Sequence, residues 1–167
     1  MSKNIRQIRV AGNIAYVPLT RGYEAVIDAD DVQLVSGMNW YACVTPWTVY
    51  PARKIRGSTE IRMYNVLIAD KPTGFVVDHI DCNGLNNLRS NLRLATPSQN
   101  QHNKRRQKNN KSGLKGVSFD KKNKKWLSCI CLNGRRYNLG RYQTPEQAHE
   151  AYRKAADDMH GHFSRPV

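Results

Sequence analysis

One short stretch, residues 75–103, concentrates the side chains that can do hydrolytic chemistry. It holds an Asp-His pair, Asp78 and His79, followed by two spaced asparagines, Asn91 and Asn100. Cleavage of a phosphodiester needs a group that takes a proton from water, oxygen donors that hold a divalent cation, and a side chain that aims the base. These four residues can supply all three, so the stretch predicts a one-metal hydrolytic site.

Local signals predict the strands that must carry this site. An apolar run over residues 76–80 favours a short strand that delivers the Asp-His pair at its end. Residues 81–84 are rich in turn formers, and Asn83-Gly84 favours a sharp reversal. A second run, residues 92–95, is expected to return as a strand beside the first.

A helix is expected next, because Thr96 precedes a proline and Gln99 stands three residues on, which is close to a capping box. The helix is predicted to turn Asn100 towards the Asp-His strand. Asn103 shares the face of Asn100, three residues on, and His102 points elsewhere. Strand, loop, strand and helix together form a ββα unit.

This spacing resembles the HNH family of endonucleases, in its phage and mobile-intron branch, whose motif is Asp-His, then Asn, then Asn. The resemblance implies that His79 is the general base and that Asn91 orients it. It also implies that Asp78 and Asn100 are oxygen ligands of one divalent ion, Mg²⁺ or Mn²⁺. The chain departs from the family at Cys82, where relatives usually have a glycine that permits positive φ.

A second motif lies in residues 112–163. Residues 113–120, 126–132 and 135–142 are predicted to be strands, and a helix with a capping box and small residues on one face follows at Thr144 and ends at Gly161. The segment resembles the apetala or ethylene-response-factor (AP2/ERF) DNA-binding domain. The resemblance implies a three-stranded antiparallel sheet packed on one helix, which reads DNA through its outer face.

Basic and amide side chains in and beside both motifs are the candidates for DNA contact. Plant relatives carry several arginines and a tryptophan on the outer sheet face, and only Arg136 remains here, so their sequence preference is not carried over. For the lysine-rich turn at residues 121–125, phosphate contact and a solvated tip remain equal alternatives. The candidates are Arg93, Lys104, Arg105, Arg106, Lys115, Lys122, Lys124, Arg135, Arg136, Asn138 and Arg141.

Composition limits the remaining classes of function. The net charge is +14 over 167 residues, and residues 111–167 hold 12 Lys and Arg against 5 Asp and Glu. This excess of positive charge, which is large in residues 111–167, favours double-stranded DNA as the partner. Four cysteines without a Cys-x-x-Cys pair predict neither a structural zinc nor disulfides, and no long apolar run predicts a membrane span. We expect no small-molecule cofactor and a cytoplasmic location, in a host cell if a phage encodes the chain.

The N-terminal 74 residues are predicted to be a β-rich scaffold with an auxiliary DNA surface. Strands are expected at 7–10, 15–19, 40–44, 48–52 and 62–68, a helix at 28–37, and a basic hairpin bearing Arg53, Lys54, Arg56 and Arg62. The expected class is α+β, with domains at 1–74, 75–106 (nuclease core), 107–113 (basic linker) and 114–163 (DNA-binding domain). The predicted function is metal-dependent DNA cleavage of the homing type. A catalytically inactive DNA-binding regulator is the main alternative, and RNA binding or RNA cleavage is a weaker third one.

Overall fold

The computed structural model describes residues 4–55, 60–104, 106 and 110–165. Contacts between residues divide the chain into two units, Met1–Ala95 and Thr96–Val167. Both units combine strands and helices, which confirms the α+β class. No helix within the described ranges is long and apolar enough to cross a membrane.

The first unit begins with two three-stranded antiparallel sheets. In the first sheet, β1 (Arg9–Ala11), β2 (Ile14–Pro18) and β3 (Glu24–Asp28) pair in chain order. A 3₁₀ turn at Ala29–Asp31 leads into the one-turn helix α1 (Val32–Val35), which confirms the predicted helix in shortened form. The second sheet contains β4 (Tyr41–Val44), β5 (Val49–Lys54) and β6 (Glu60–Arg62).

In this region one sequence prediction is wrong and one strand is missed. The predicted strand at 62–68 is wrong, because Met63–Leu67 forms helix α2. Met63 and Leu67, four residues apart, are both buried, whereas a strand would have placed them on one face with residue 65. Strand β3 was not predicted, although it alternates between buried Ala25 and Ile27 and more exposed neighbours.

A two-stranded hairpin completes the unit. Strand β7 (Val76–His79) pairs antiparallel with β8 (Leu92–Ala95), as predicted. Val77 and Leu92 from the hairpin belong to the same buried cluster as Ile27, Trp40 and Met63. The N-terminal sheets and the Asp-His hairpin therefore share one hydrophobic core.

The second unit begins with helix α3 (Pro97–Asn103) and continues into a three-stranded sheet. Strands β9 (Val117–Asp120), β10 (Lys125–Leu132) and β11 (Arg135–Tyr142) are antiparallel, with β10 in the centre. Helix α4 (Pro145–His160) buries side chains spaced by four residues, Ala148, Tyr152, Ala156 and His160. This is the predicted sheet backed by one amphipathic helix.

Local chemistry explains why these elements form where they do. Both helices start with a full capping box, Thr96 with Gln99 and Thr144 with Gln147. The β10–β11 turn has positive φ at Asn133 and at the glycine after it, as the Asn-Gly pair predicts. Ile130 packs on the helix, and a glycine at 116 is required because a Cβ there would lie 2.0 Å from Tyr152 Cδ2.

Candidate active site and nucleic-acid interface

The Asp-His pair lies at the end of β7 and is buried. Asp78 is 4% exposed and His79 is 6% exposed. A buried carboxylate needs a compensating charge or hydrogen bonds. Asp78 faces Arg93 across the hairpin, and Arg93 Nε donates to Asp78 Oδ2 at 2.8 Å. Arg93, predicted to contact DNA, pairs with this carboxylate, and its side chain is 17% exposed.

Asn87 is a hydrogen-bond partner of the His79 ring. His79 Nε2 lies 3.3 Å from Asn87 Oδ1, and Asn87 Nδ2 donates to Gly84 O at 3.0 Å. The second bond orients the amide, so its oxygen faces the imidazole and Nε2–H is the donor. In the neutral ring, Nδ1 is then the nitrogen that can accept a proton.

The surroundings of His79 favour its neutral form. Burial lowers the pKa of His79, against smaller opposing effects of the Asn87 hydrogen bond and the nearby carboxylates of Asp81 and Asp78. The rings of Tyr50 and Tyr64 pack edge-on to the imidazole, with centroid distances of 5.8 and 5.4 Å. A base that stays unprotonated at neutral pH is what proton abstraction from water requires.

Asn91, which is expected to orient His79, contacts the loop that follows the imidazole. Asn91 Oδ1 accepts from Asp81 N at 3.0 Å, and Asn91 Nδ2 donates to Asp81 Oδ1 at 2.9 Å and to Asn86 O at 2.8 Å. Burial works to raise the pKa of Asp81, but hydrogen bonds from Asn83, Asn86 and Asn91 overcome it and lower that pKa. Asn91 thus supports His79 through the loop, and Asn87 contacts the ring.

Two positions in this loop have strict backbone requirements. Cys82 has φ of +58°, the conformation that the family's usual glycine would adopt with less strain. Gly84 lies against strand β5, since a Cβ there would be 2.5 Å from Tyr50 Cδ1 and 2.6 Å from Val49 O. Strand β5 therefore restricts the position of Gly84 in the loop and also carries Tyr50, whose ring packs on His79.

The N-terminal sheet also holds the loop directly. Val26 in β3 donates to Leu85 O at 2.8 Å, and Asn87 N donates to Val26 O at 2.7 Å. These bonds place Asn87, which is 0% exposed, at the edge of the first sheet. Arg89 adds a bidentate ion pair to the buried carboxylate of Asp31, with distances of 2.7 to 3.1 Å.

Asn100 lies on α3, in the second unit, where it is half-buried. Asn103 on the same helix is 3% exposed. The donor chemistry fits a hard cation: Mg²⁺ binds through one or two protein oxygens and keeps waters and substrate oxygens as its other ligands. The carboxylate of Asp78 and the amide of Asn100 each carry an oxygen donor of that kind. Within the described residues no group of three or more His, Cys, Asp or Glu side chains that could hold a metal ion occurs.

The outer face of the second unit's sheet carries the other candidate surface. The strand register places Arg136, Asn138 and Arg141 of β11 opposite Cys131, Cys129 and Leu127 of β10, on the face away from α4. All three β11 side chains are exposed. By the same register Arg135 pairs with Leu132 and lies on the other face.

Two contacts organise this outer face. Arg141 Nε donates to Asp120 Oδ2 at 2.8 Å, and this hydrogen bond, with those from Asn123, lowers the pKa of Asp120 well below its usual range. Arg136 Nη2 donates to Cys129 Sγ at 3.2 Å. Arg141 is thus partly neutralised, whereas Arg136 keeps its full charge beside a thiol.

The remaining basic candidates fall into three groups. Lys122 and Lys124 are exposed in the β9–β10 turn, and Lys104 and Arg106 are exposed after α3, so all four are accessible to phosphate. Lys115 is different, because its ammonium donates to three backbone carbonyls. Arg105, like Arg56 of the predicted basic hairpin, lies outside the described residues.

Comparisons with known proteins agree with both motifs. Residues 70–102 match the HNH endonuclease family model, and residues 112–162 match the AP2 domain model. An uncharacterized HNH endonuclease of Acanthamoeba polyphaga mimivirus is 34% identical over 149 residues, which are 87% of this chain and 75% of that protein. The chain therefore belongs to the HNH endonuclease family, with an AP2 domain at its C-terminal end.

A phage protein is similar as well. Protein 3.8 of Escherichia phage T7 is 38% identical over 106 residues, which cover 64% of this chain and 87% of the phage protein. No solved structure matches the chain. Membership in this family and the AP2 domain imply a protein that binds DNA.

Proposed function

We propose that this chain is a metal-dependent DNA endonuclease that hydrolyses phosphodiester bonds, of the homing type encoded by phages and mobile elements. The observation that carries the proposal is the state of His79. It is buried, its pKa is lowered, and its Nε2 lies 3.3 Å from Asn87 Oδ1, a contact that favours the tautomer with Nδ1 as the proton acceptor. An inactive DNA-binding regulator would have no need of such a base.

In the proposed reaction, His79 Nδ1 takes a proton from a water molecule as the water oxygen attacks the scissile phosphorus. The bond from phosphorus to the 3′ oxygen breaks, and that oxygen takes a proton from solvent. Asn87 keeps the ring oriented during the proton transfer, because Nε2–H donates to the amide oxygen. The base is regenerated when Nδ1 releases its proton to solvent.

Asp78 and Asn100 are the proposed ligands of Mg²⁺ or Mn²⁺, as the family motif implies. The bound ion would neutralise charge on the phosphate and stabilise the leaving oxygen. Arg93 keeps the Asp78 carboxylate in one orientation through its 2.8 Å contact. The oxygen of Asn100 would complete the pair of protein ligands, and water and phosphate would supply the rest.

The second unit and the exposed basic residues are proposed to hold double-stranded DNA. Lys104, Arg105, Arg106, Lys122 and Lys124 would contact phosphates, which gives affinity without sequence preference. Arg136, Asn138 and Arg141 on the outer sheet face would reach base edges.

The proposed location is the reducing cytoplasm of a host cell. The four cysteines, all within the described residues, are free thiols, which suits such a compartment.

Plasmid nicking tests the proposal. The wild-type protein should convert supercoiled plasmid to open-circular or linear DNA with Mg²⁺ and should leave it intact with EDTA. His79→Ala should cut at least ~10²-fold more slowly while binding DNA within a few-fold of wild type, because a general base acts in the transition state. A His79→Ala variant that cuts at the wild-type rate would exclude this residue as the base.

Metal titration tests the proposed ligands. Asp78→Ala and Asn100→Ala should each raise the Mg²⁺ concentration needed for half-maximal nicking. Gln101→Ala, which changes an exposed neighbour on α3, is the matched control and should leave the titration unchanged. Wild-type curves for both ligand variants would assign the ion to other residues. If the wild-type protein binds DNA tightly and never cuts it, the chain is a regulator.

A further inference from the structure

Helix α3, which carries Asn100, is too short to be stable alone. It has seven residues, Pro97–Asn103. Isolated helices shorter than about 12–15 residues are marginal in water, so α3 depends on its surroundings for order. Its capping box at Thr96 secures the first turn. Further support comes from residues of the AP2 domain.

Lys115 supplies the main support at the helix end. Lys115 Nζ donates to His102 O at 2.8 Å, to Lys104 O at 2.8 Å and to Arg165 O at 2.7 Å. The last carbonyls of a helix have no partner within the helix, and a cation there also complements the helix dipole. Two of the three N–H groups of this ammonium thus hold the end of α3, and the third bonds Arg165 O near the C-terminal end of the described residues.

Two side-chain contacts reinforce this support. The rings of His102 and His160 stack with centroids 3.6 Å apart and planes inclined by 10°. His160 is held in turn by the bond from its Nε2 to Cys131 O at 3.1 Å, so the stack connects α3 to α4 and β10. At the other end of the helix, Ser98 Oγ donates to Asn133 Oδ1 at 3.4 Å.

We infer that the AP2 domain has a second task besides DNA binding, which is to hold α3 and so to position Asn100 for the metal ion. Lys115 is the positioning residue. This inference rests on the proposed function, because it takes Asn100 as a metal ligand. It also changes the expected role of Lys115, since an ammonium that holds three carbonyls acts within the protein and not on phosphate.

The test compares Lys115→Met with Lys154→Met in the full chain. Lys154 is exposed on α4, so this control removes the same charge without touching α3. Three quantities are measured under conditions where circular dichroism shows both variants folded. They are the Mn²⁺ dissociation constant, from the electron paramagnetic resonance signal of the unbound ion, the Mg²⁺ concentration for half-maximal nicking, and hydrogen exchange of the α3 amides.

Lys115→Met should weaken Mn²⁺ binding at least fivefold, raise the Mg²⁺ requirement by a similar factor and speed exchange in α3. DNA affinity in EDTA should match that of Lys154→Met. Lys115→Arg keeps a cation and several donors, so it should weaken Mn²⁺ binding about twofold, and it serves as the test variant if Lys115→Met does not fold.

The outcomes separate the inference from the proposed function. If wild type binds Mn²⁺ and nicks plasmid, and Lys115→Met equals Lys154→Met in metal affinity and α3 exchange, Lys115 does not position the helix and the inference is wrong. A loss of DNA affinity in EDTA specific to Lys115→Met would assign the residue to DNA contact instead. If wild type neither binds Mn²⁺ nor nicks, the proposed function falls, and the inference falls with it.

Discussion

Arg93 and Asp78 form an ion pair directly across the β7–β8 hairpin, with Arg93 Nε 2.8 Å from Asp78 Oδ2. The side chains are 17% and 5% exposed, so solvent screens the pair only weakly. Arg93, which sequence alone would assign to phosphate contact, therefore holds the carboxylate of Asp78, the proposed metal ligand.

Replacing Arg93 should cost both stability and activity. Arg93→Met leaves a buried carboxylate without its guanidinium, which should lower the free energy of unfolding by roughly 2–4 kcal/mol. It should also raise the Mg²⁺ requirement, because Asp78 loses its fixed orientation. Urea unfolding and metal titration measure the two effects.

The matched control for this prediction is Arg9→Met. Arg9 pairs with Glu24 at 3.6 Å, and both side chains are about half exposed. Such pairs contribute little, and the Arg9 guanidinium also lies 4.0 Å from the centroid of the Tyr16 ring, so the change should be under about 1 kcal/mol. Equal unfolding energies for the two variants would show that the Asp78 pair adds nothing to stability.

The pH dependence of cleavage should report the lowered pKa of His79. The base works only as neutral imidazole, and burial keeps it neutral below its ordinary pKa of 6.5. In a plot of kcat/KM against pH at fixed Mg²⁺, the midpoint of the fall on the acid side should therefore lie below pH 6.5. A midpoint above pH 6.5 contradicts the structure.

Asn87→Asp should move that midpoint to higher pH. A carboxylate in place of the amide oxygen still accepts from His79 Nε2, but its charge stabilises the imidazolium and raises the pKa of His79. Gln33→Glu adds the same charge on the exposed side of α1 and should leave the midpoint in place. Identical profiles for wild type and Asn87→Asp would remove Asn87 from the site.

Cys82 offers a test of backbone strain. Because Cys82 has φ of +58°, Cys82→Gly should raise the free energy of unfolding by roughly 0.5–1 kcal/mol and retain cleavage. Cys82→Ala keeps a Cβ and should give no such gain, which separates strain from loss of the thiol. Thermal unfolding of the three proteins decides the matter. A stability gain in the alanine variant equal to that in the glycine variant would exclude strain as the cause.

Salt dependence should separate the two kinds of DNA contact. If about six to eight phosphates are neutralised, the plot of log affinity against log salt should have a slope of roughly −5 to −7. Lys124→Ala should reduce the slope by about 1 for every sequence, whereas Arg136→Ala should change the ranking of sequences. Lys154→Ala should alter neither. If the slope for Lys124→Ala equals that of wild type, the lysine-rich turn is a solvated tip that does not contact phosphate.

Much of the fold follows from short-range signals in the sequence. Strand β11, both capping boxes and the Asn133 turn were predicted because their determinants lie within a few residues. Helix α2 was mistaken for a strand because its apolar residues fit either period over so short a run. The helix is favoured because it buries both Met63 and Leu67, and the core that receives them exists only in the folded unit.

The site was less predictable than the fold, since its decisive contacts join distant residues. Asp78 and His79 follow from the motif, but the choice between Asn87 and Asn91 as the partner of the imidazole does not. Asn87 reaches the ring because Val26, some sixty residues upstream, holds its backbone. The only sequence signal was the doubled amide at Asn86-Asn87. Lys115 had none, because its three carbonyl partners become neighbours only on folding.

The bond from Asn87 N to Val26 O has a consequence for protein engineering. The sequence motif spans residues 70–102, yet strand β3 supplies the template on which its loop is built. A graft of the motif alone into another scaffold would carry the base and leave behind the strand that orients its amide. A transferable cassette would have to start before β2, so that the donor chain brings its own sheet edge.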